Sequence, residues 1–490
     1  MAGILERIRN TATEFPERTA HRGGGGTMTY RELWNRACLL AAELKSRAAP
    51  AGLPVGIRGH KEPEMFVGFL GTVLAGRAYI PLDVSMPEAR VSAIISVATP
   101  LAILTAGEIS EMTGAWIKAP EPAIPQTAAD DPFYIMFTSG STGDPKGVVI
   151  THGCMEAFVN WMLGEQPFAR GREIFVNQVP LSFDVSVMDN YLAFLTGGSV
   201  VALTRQDVAS PRDLYAKLRA SEATVWVSTP SFAQMCLAER AFDAEMMPAL
   251  RRFLFCGETL AHKTAATLLQ RFPDAEIWNT YGPTEATVAT TSVRVDADLL
   301  SRHDPLPIGF AMPGTEVVIR RPDGSAASAG ESGEIAIIGP NVSTGYLKRP
   351  DLTEKVFFRE HGARGYRTGD RGHAKDGLVF FHGRLDFQIK LRGHRIELGD
   401  VEAHVRELPG VVDAVVLPVE RRGVVDSLAA FVVMREPIAG DSFAAAQSLR
   451  GTLGSRLPEY MIPRRIEFLE AFPLTANGKA DRKALAARLA

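Results

Sequence analysis

Three apolar runs, each closing on small or polar residues and separated by helix-like segments, restrict this chain more than any other feature. They are "ATVWVSTPS" at 223–231, "RRFLFCGE" at 251–258 and "AEIWNTYGPTE" at 275–285. Between them lie "PSFAQMCLAERAF" and "LAHKTAATLLQRF", whose apolar residues recur at helical spacing. Strand, helix, strand at this interval demands a parallel sheet covered by helices, because a parallel neighbour is reached only through a crossover. Ligands of such sheets sit beyond the carboxyl ends of the strands, so the polar strand ends are candidate site loops. "PFYIMFTSG" at 132–140 reads as a further strand of the same kind.

The pattern changes along the chain. From about Gly309 to Gly383 short strands and turns dominate, as in "TEVVIRRPDGSAASAGESGEIAIIG", and predict a β-rich subdomain beside the α/β body. "VEAHVRELPGVVDAVVLPV" and "LAAFVVM" supply a helix and strands for a small α+β domain. The expected fold class is therefore α/β, with a large N-terminal domain over 1–385 and a small C-terminal domain over 386–490. "RGGGG" at 22–26 reads as a flexible turn.

Charge and cysteine usage narrow the function. With 53 basic and 56 acidic residues mixed along 490 positions, no basic block is long enough to track a phosphate backbone, so small ligands are expected and nucleic acid is not. The first residues, "MAGILERIRNTATEFPERTA", carry charges throughout and read as an amphipathic helix, not a signal peptide. No stretch reaches membrane-spanning length. Cys38, Cys154, Cys236 and Cys256 show no Cys-x-x-Cys spacing, which suits a reducing compartment and argues against zinc. A cytoplasmic location is the expectation.

The run "FTSGSTGDPKGVVITHG" at 137–153 carries the first sign of chemistry. Thr138, Ser139, Gly140, Ser141, Thr142 and Gly143 offer hydroxyls and uncrowded backbone N–H groups, which a cluster of anionic oxygens needs. The spacing is not that of a Walker A loop, since Lys146 is followed by Gly147 and not by Ser or Thr. On its own the run fits a phosphate cradle and a Gly/Ser surface turn equally well.

In company it resembles the phosphate-binding signature of the adenylate-forming superfamily, which holds acyl-CoA synthetases, luciferases and adenylation domains of peptide synthetases. Other stretches similar to that superfamily's motifs follow in order: "MTYREL" at 28–33, "LAGRAYIPLD" at 74–83, "FDVS" at 183–186 and "NTYGPTE" at 279–285. "GEIAIIGPNVSTGYL" at 333–347, "YRTGD" at 366–370, "GRLDFQIKLRGHRIELGDVE" at 383–402, "LPEYMIP" at 457–463 and "NGKADRK" at 477–483 complete the series across essentially the whole chain.

The resemblance implies ATP and Mg²⁺, with a carboxylate attacking the α-phosphate to form an acyl-adenylate and release pyrophosphate. Residues 138–143 and Lys146 would then hold the outgoing phosphates. Glu285 would carry Mg²⁺ and Thr284 would touch the α-phosphate. Tyr281 would pack on adenine, with Asn279, Thr280, Gly282 and Pro283 around the base and Phe381 nearby. Asp370 would accept the ribose hydroxyls, assisted by Arg384. Lys479 would bridge the substrate carboxylate and the α-phosphate and stabilise charge in the transition state. Taken singly, each of these residues reads as an ordinary turn acid or solvated base.

In amino-acid-activating relatives the aspartate of "FDVS" pairs with the substrate ammonium, and Asp184 stands in that place. An ammonium partner makes physical sense of a buried carboxylate. The implied lining is Asp184, Val185, Met188, Ser228, Leu254, Cys256, Thr280, Val288 and Ala289, with Lys479 reaching the carboxylate. Such a cavity suits a small apolar amino acid. "LSFDVSVMDNYLAFLTGG", "FLFCGETL" and "NTYGPTEATVA" are similar to the family of D-alanine:D-alanyl carrier protein ligases, in which the cysteine of "FLFCGE", here Cys256, crowds one side of the α-carbon. D-Alanine is the implied substrate. Val185 stands where that family suggests leucine, a difference worth on the order of 1 kcal/mol of burial, so a slightly larger acid stays open.

The superfamily also swings its C-terminal domain between half-reactions, which makes the small domain mobile, Asp386 the hinge and Lys390 to Arg395 the loop facing a phosphopantetheine thiol. No carrier-type serine motif is present, so a separate carrier protein is expected. The alternative is a stand-alone peptide-synthetase-type adenylation enzyme for another small amino acid.

Overall fold

The alternation of strands and helices is realised as a nine-stranded sheet. Its strands run in the order Phe310–Ala311, Thr291–Val295, Glu276–Tyr281, Arg252–Phe255, Val225–Ser228, Ile174–Asn177, Ser199–Ala202, Thr19–Gly23 and Gly26–Thr29. This computed structural model describes residues 3–489 except 49, 51, 115–122, 139–144, 387, 392, 422–423, 437, 439–440 and 475–479. The strands from Glu276–Tyr281 through Thr19–Gly23 pair in parallel, as the crossover pattern requires. Val225–Ser228 and Arg252–Phe255 are buried along their whole length, which explains why they read as continuous apolar runs and do not alternate.

The chain divides into two compact units. The first comprises Met1–Val84, Ala98–Met136 and Gly147–Leu385, and the second Ser85–Val97, Phe137–Lys146 and Asp386–Ala490. A second sheet orders Ala102–Thr105, Val55–Gly59, Tyr79–Asp83, Pro132–Thr138 and Lys146–Thr151, the first four pairing in parallel. The β-rich region is an antiparallel sheet of Glu316–Arg320, Gly333–Ile338, Ala363–Lys375 and Phe357–Glu360, with Leu378–Arg384 paired to Ala363–Lys375. In the second unit Val411–Arg421 and Val424–Met434 pair antiparallel and Arg465–Leu469 joins in parallel. Helix Leu398–Arg406 packs there over a core that includes Val401, Val405, Val416 and Val432.

Two local expectations need correction. The helix expected over 230–242 stops at Cys236. The Tyr215 hydroxyl donates to the Cys236 carbonyl, and Arg271 donates to the carbonyls of Glu239 and Phe242, so the peptide groups that would continue the helix are taken elsewhere. Phe242 turns inward against Trp226 and Phe272. The glycine run at 22–26 is a tight hairpin between Thr19–Gly23 and Gly26–Thr29 in place of a loose turn. At Gly24 φ is +59°, and a Cβ there would lie 1.9 Å from the Lys61 carbonyl oxygen, so only glycine fits.

That close approach steadies a buried cation. Lys61, 1% exposed, donates to the carbonyls of Asn177 (3.0 Å) and Val179 (2.7 Å) and to the Asn177 side chain. Asn177 Nδ2 donates to Asp189 Oδ2 at 2.9 Å. Burial pulls the Lys61 ammonium down to about 7 and pushes the Asp189 carboxyl up to about 8. The network ties the end of strand Ile174–Asn177 to helix Val185–Thr196, every residue of which is buried.

Candidate active site

The parallel order reverses at strand Ile174–Asn177. After it the chain returns on one side as Ser199–Ala202 and then on the other as Val225–Ser228, so the loops beyond Asn177 and Ser228 diverge and leave a crevice. Asp184 ends the first of these loops. It is 4% exposed, has helical backbone angles, and its side chain does not cap the helix it begins. Val185, Met188, Leu254, Cys256, Val288 and Ala289 all belong to one large buried apolar cluster.

The polar members of the lining are committed within the wall. Ser228 Oγ accepts from Trp226 Nε1 at 2.7 Å and donates to the Thr229 carbonyl at 2.8 Å. Thr280 Oγ1 donates to the Phe255 carbonyl at 2.8 Å. The Cys256 thiol donates to the Val288 carbonyl at 3.3 Å, which aims the sulfur as a wall atom. A buried acid together with apolar and internally satisfied neighbours would suit a small ammonium-bearing molecule.

The loop that supplies Val288 and Ala289 is strained. Thr287 and Val288 have φ of +56° and +65°, although both are β-branched and both are buried. Each such residue costs on the order of 1–3 kcal/mol and persists only when its surroundings hold it. Asn341 Nδ2 donates to the Ala286 carbonyl and to Thr290 Oγ1, both at 2.9 Å, and the Asn341 carbonyl accepts from Thr287 Oγ1 at 2.7 Å. Gly282 closes the other side, since a Cβ there would lie 2.6 Å from Ala289 Cα.

On the nucleotide side, Asp370 is 2% exposed. Its Oδ1 accepts from Arg384 and its Oδ2 from the Tyr281 hydroxyl, each at 2.5 Å. An ionised carboxylate keeps further lone pairs after two such bonds, so the arrangement still fits a ribose diol. Burial and the adjacent Asp370 charge hold the Tyr281 hydroxyl well above the ordinary tyrosine range, fixing it as a donor. The Phe381 ring lies 6.3 Å from that of Tyr281. Asn279 is buried and its Nδ2 donates to the Pro307 carbonyl at 2.8 Å.

Pro283 precedes a single turn, Thr284–Ala286, that sets out Thr284 and Glu285. Glu285 is fully buried, and Tyr346 Oη donates to its Oε1 at 2.7 Å. Among the described residues no group of three or more acidic, histidine or cysteine side chains forms a metal cage. One oriented carboxylate fits Mg²⁺, which takes few protein oxygens and completes its shell with phosphate and water.

Some expected residues lie elsewhere or outside the described residues. Ser139, Gly140, Ser141, Thr142, Gly143 and Lys479 are outside them. In the second unit the buried Thr138 Oγ1 has no hydrogen-bond partner, and the Lys146 ammonium sits 3.5 Å from the Glu397 carboxylate. Asp386 accepts from the Gln388 backbone N–H at 3.1 Å. The segment flanking 475–479 is pinned: Asp481 N–H donates to the Pro473 carbonyl at 2.7 Å, and Arg482 pairs with buried Glu402.

Sequence reasoning did not assign Tyr346, Asn341 or Thr368, whose hydroxyl accepts the Asp370 N–H at 2.9 Å. All three lie in the motif-like stretches "GPNVSTGYL" and "YRTGD", and that proximity was the available signal.

Comparison with known proteins shows the family. Residues 8–347 match the family described as AMP-binding enzyme, and residues 400–479 match the AMP-binding enzyme C-terminal domain. Proteins of Bacillus cytotoxicus and Bacillus mycoides named D-alanine--D-alanyl carrier protein ligase are each 42% identical over 98% of this chain and 98% of their own. Holo-PA1221, an NRPS protein containing adenylation and PCP domains, aligns with TM-score 0.84 and 30% identity, covering 99% of this chain and 84% of that one. The Vibrio cholerae adenylation domain AlmE, solved with glycyl-adenosine-5'-phosphate, shares the fold with TM-score 0.85 and 22% identity over 99% and 97% of the two chains.

Proposed function

From the premise that the chain belongs to the AMP-binding enzyme family, we propose that it activates D-alanine with ATP and passes the aminoacyl group to a separate carrier protein. In the first step a carboxylate oxygen of the amino acid attacks the α-phosphorus, the bond to the β-phosphate breaks, and pyrophosphate leaves. In the second the carrier's phosphopantetheine thiolate attacks the acyl carbon and AMP leaves, giving a thioester. Bacterial relatives of nearly equal length named for this reaction support the choice of substrate and partner.

The single observation that carries the reading is Asp184, a buried acid that begins helix Val185–Thr196 beyond the strand at which the sheet order reverses. Its charge holds the substrate ammonium, and Val185, Met188 and Leu254 bound the methyl group. Cys256, fixed by the Val288 carbonyl, crowds one face of the α-carbon and selects the D-enantiomer. Asp370 holds the ribose, oriented by Tyr281 and Arg384. Glu285 would hold Mg²⁺, which screens the phosphate charge as pyrophosphate departs. Residues 138–143 and Lys146 cradle the leaving phosphates. Lys479 bridges the reacting carboxylate and the α-phosphate, and the C-terminal domain turns about Asp386 to exchange Lys479 for the 390–395 loop between steps.

Pyrophosphate release dependent on D-alanine tests the first step. Lys479→Ala should lower that rate at least a hundredfold with ATP binding retained, on the order of what one preorganised charge contributes; an unchanged rate would remove Lys479 from the mechanism.

A further inference from the structure

The stretch Asn341–Tyr346 grips the site from one side. Asn341 spends both side-chain N–H groups on Ala286 O and Thr290 Oγ1, one on each flank of the strained Thr287–Val288 pair, and its Oδ1 accepts from Thr315 Oγ1 at 2.8 Å. Its own carbonyl takes the Thr287 hydroxyl. Two residues on, the Ser343 N–H donates to the Glu285 carbonyl at 2.9 Å, and Tyr346 Oη holds the Glu285 carboxylate. Leu347 N–H donates to Gly147 O at 2.7 Å and Val149 N–H to Gly345 O at 3.1 Å, which joins the stretch to the strand that follows the 138–143 loop.

We propose that this stretch is a brace that positions the amino-acid wall and the metal carboxylate together, with Asn341 a positioning residue for substrate selectivity and Tyr346 a positioning residue for Glu285. A β-branched pair in the left-handed region relaxes toward ordinary backbone angles unless both flanks are held. Release by loss of the Asn341 amide turns the Val288 carbonyl, frees the Cys256 thiol it accepts from, and lets Val288 and Ala289 retreat, which widens the cavity. Loss of the Tyr346 hydroxyl leaves the wall intact and lets the Glu285 carboxylate rotate. The inference rests on the ligase reading above, and the two fail differently: wild-type protein inert toward D-alanine defeats that reading, whereas active wild type with unaltered variants defeats the brace.

The test compares wild type with Asn341→Ala, Asn341→Asp, Thr315→Val and Tyr346→Phe. For each, kcat and KM are measured with D-alanine and with D-2-aminobutyrate, binding of a non-hydrolysable D-alanyl-adenylate analogue and of ATP over a Mg²⁺ series is measured by calorimetry, and the melting midpoint is recorded. Asn341→Ala should raise KM for D-alanine about tenfold, as the loss of the two hydrogen bonds flanking the Thr287–Val288 pair implies, with kcat changed less. The larger acid should suffer less, so the selectivity ratio falls about fivefold by the same reasoning. Asn341→Asp, which keeps the acceptor and loses both donors, should match it; Thr315→Val should shift the ratio in the same direction but less, and it serves if the first variant fails to fold. Tyr346→Phe should raise the Mg²⁺ concentration for half-maximal ATP binding about threefold or more with the amino-acid ratio unchanged. Variants that lose only melting temperature, with wild-type KM ratio, analogue affinity and Mg²⁺ dependence, would overturn the brace.

Discussion

Gly282 offers a perturbation whose size can be worked from the structure. Replacing it with alanine puts a Cβ 2.6 Å from Ala289 Cα, 2.9 Å from Thr290 N and 3.0 Å from Ala289 C. All three are backbone atoms, so no flexible side chain can yield. Strand Glu276–Tyr281 and the 289–290 segment must separate by several tenths of an ångström, and the Thr290 N–H bond to the Tyr281 carbonyl, 2.7 Å long, must stretch. Overpacking of this kind costs about 1–3 kcal/mol. Because Tyr281 hydrogen-bonds Asp370 and Ala289 belongs to the proposed amino-acid wall, the damage should reach both substrates. KM for ATP and for D-alanine should each rise about tenfold, equal to ~1.4 kcal/mol, and the melting midpoint should fall by several degrees. Gly164→Ala is the matched control. It lies in helix His152–Glu165, and a Cβ there meets nothing within 4 Å, so alanine should be neutral or stabilise by up to about 1 kcal/mol. Thermal melts with steady-state pyrophosphate release read both. A Gly282→Ala protein with both KM values within twofold of wild type would refute the reasoning.

Other outcomes follow from named groups. Asp184→Asn should raise KM for D-alanine by roughly 30- to 150-fold, since a charged hydrogen bond inside a site is worth about 2–3 kcal/mol, and a change below threefold in the same assay would remove Asp184 from substrate binding. His21 is buried with neither ring nitrogen hydrogen-bonded, and burial, aided by Lys61, pulls its pKa from 6.5 to about 3. The unfolded chain takes up a proton below 6.5 that the folded ring refuses, so stability is undiminished above pH 6.5 and is lost as pH falls toward 3; by pH 4.5 the loss amounts to about 2.7 kcal/mol. Denaturant midpoints at pH 7 and 4.5 should therefore diverge less in His21→Met than in wild type, and an equal divergence would contradict it. Arg482→Ala leaves Glu402, 4% exposed, without its pinning guanidinium, and should slow D-alanyl-adenylate formation, because the helix following Lys479 loses its anchor. An unaltered single-turnover rate would count against that anchoring.

What was legible from sequence follows the range of the interactions. Val225–Ser228, Arg252–Phe255 and Glu276–Tyr281 were readable because burial on both faces leaves a parallel strand mostly apolar, and the residues just past their ends are where the geometry of parallel sheets puts ligand-facing loops. Asp184 and Asp370 stood out through the resemblance of their surrounding motifs. Two pairings did not: Tyr281 meets Asp370 across 89 positions, and Asn341 meets Thr290 across 51, separations at which no local pattern survives. Lys61, in "HKEPEM", reads as a solvated lysine, and only the fold brings Asn177, Val179 and Asp189 around it. The helix ending at Cys236 was overrun for the same reason, since Tyr215 and Arg271 intercept it from other elements.

The central claim is a preference, and competition measures it most directly. With ATP, Mg²⁺ and a phosphopantetheinylated carrier present, D-alanine, isotopically labelled L-alanine, glycine, serine and D-2-aminobutyrate are supplied together at equal concentration and the thioester on the carrier is identified by mass, the label separating the two alanine enantiomers. The account predicts D-alanyl thioester in excess of every other product, with the excess reduced in Cys256→Gly. A carrier loaded mainly with any of the other four acids, or left unloaded while wild-type protein releases pyrophosphate, would contradict it.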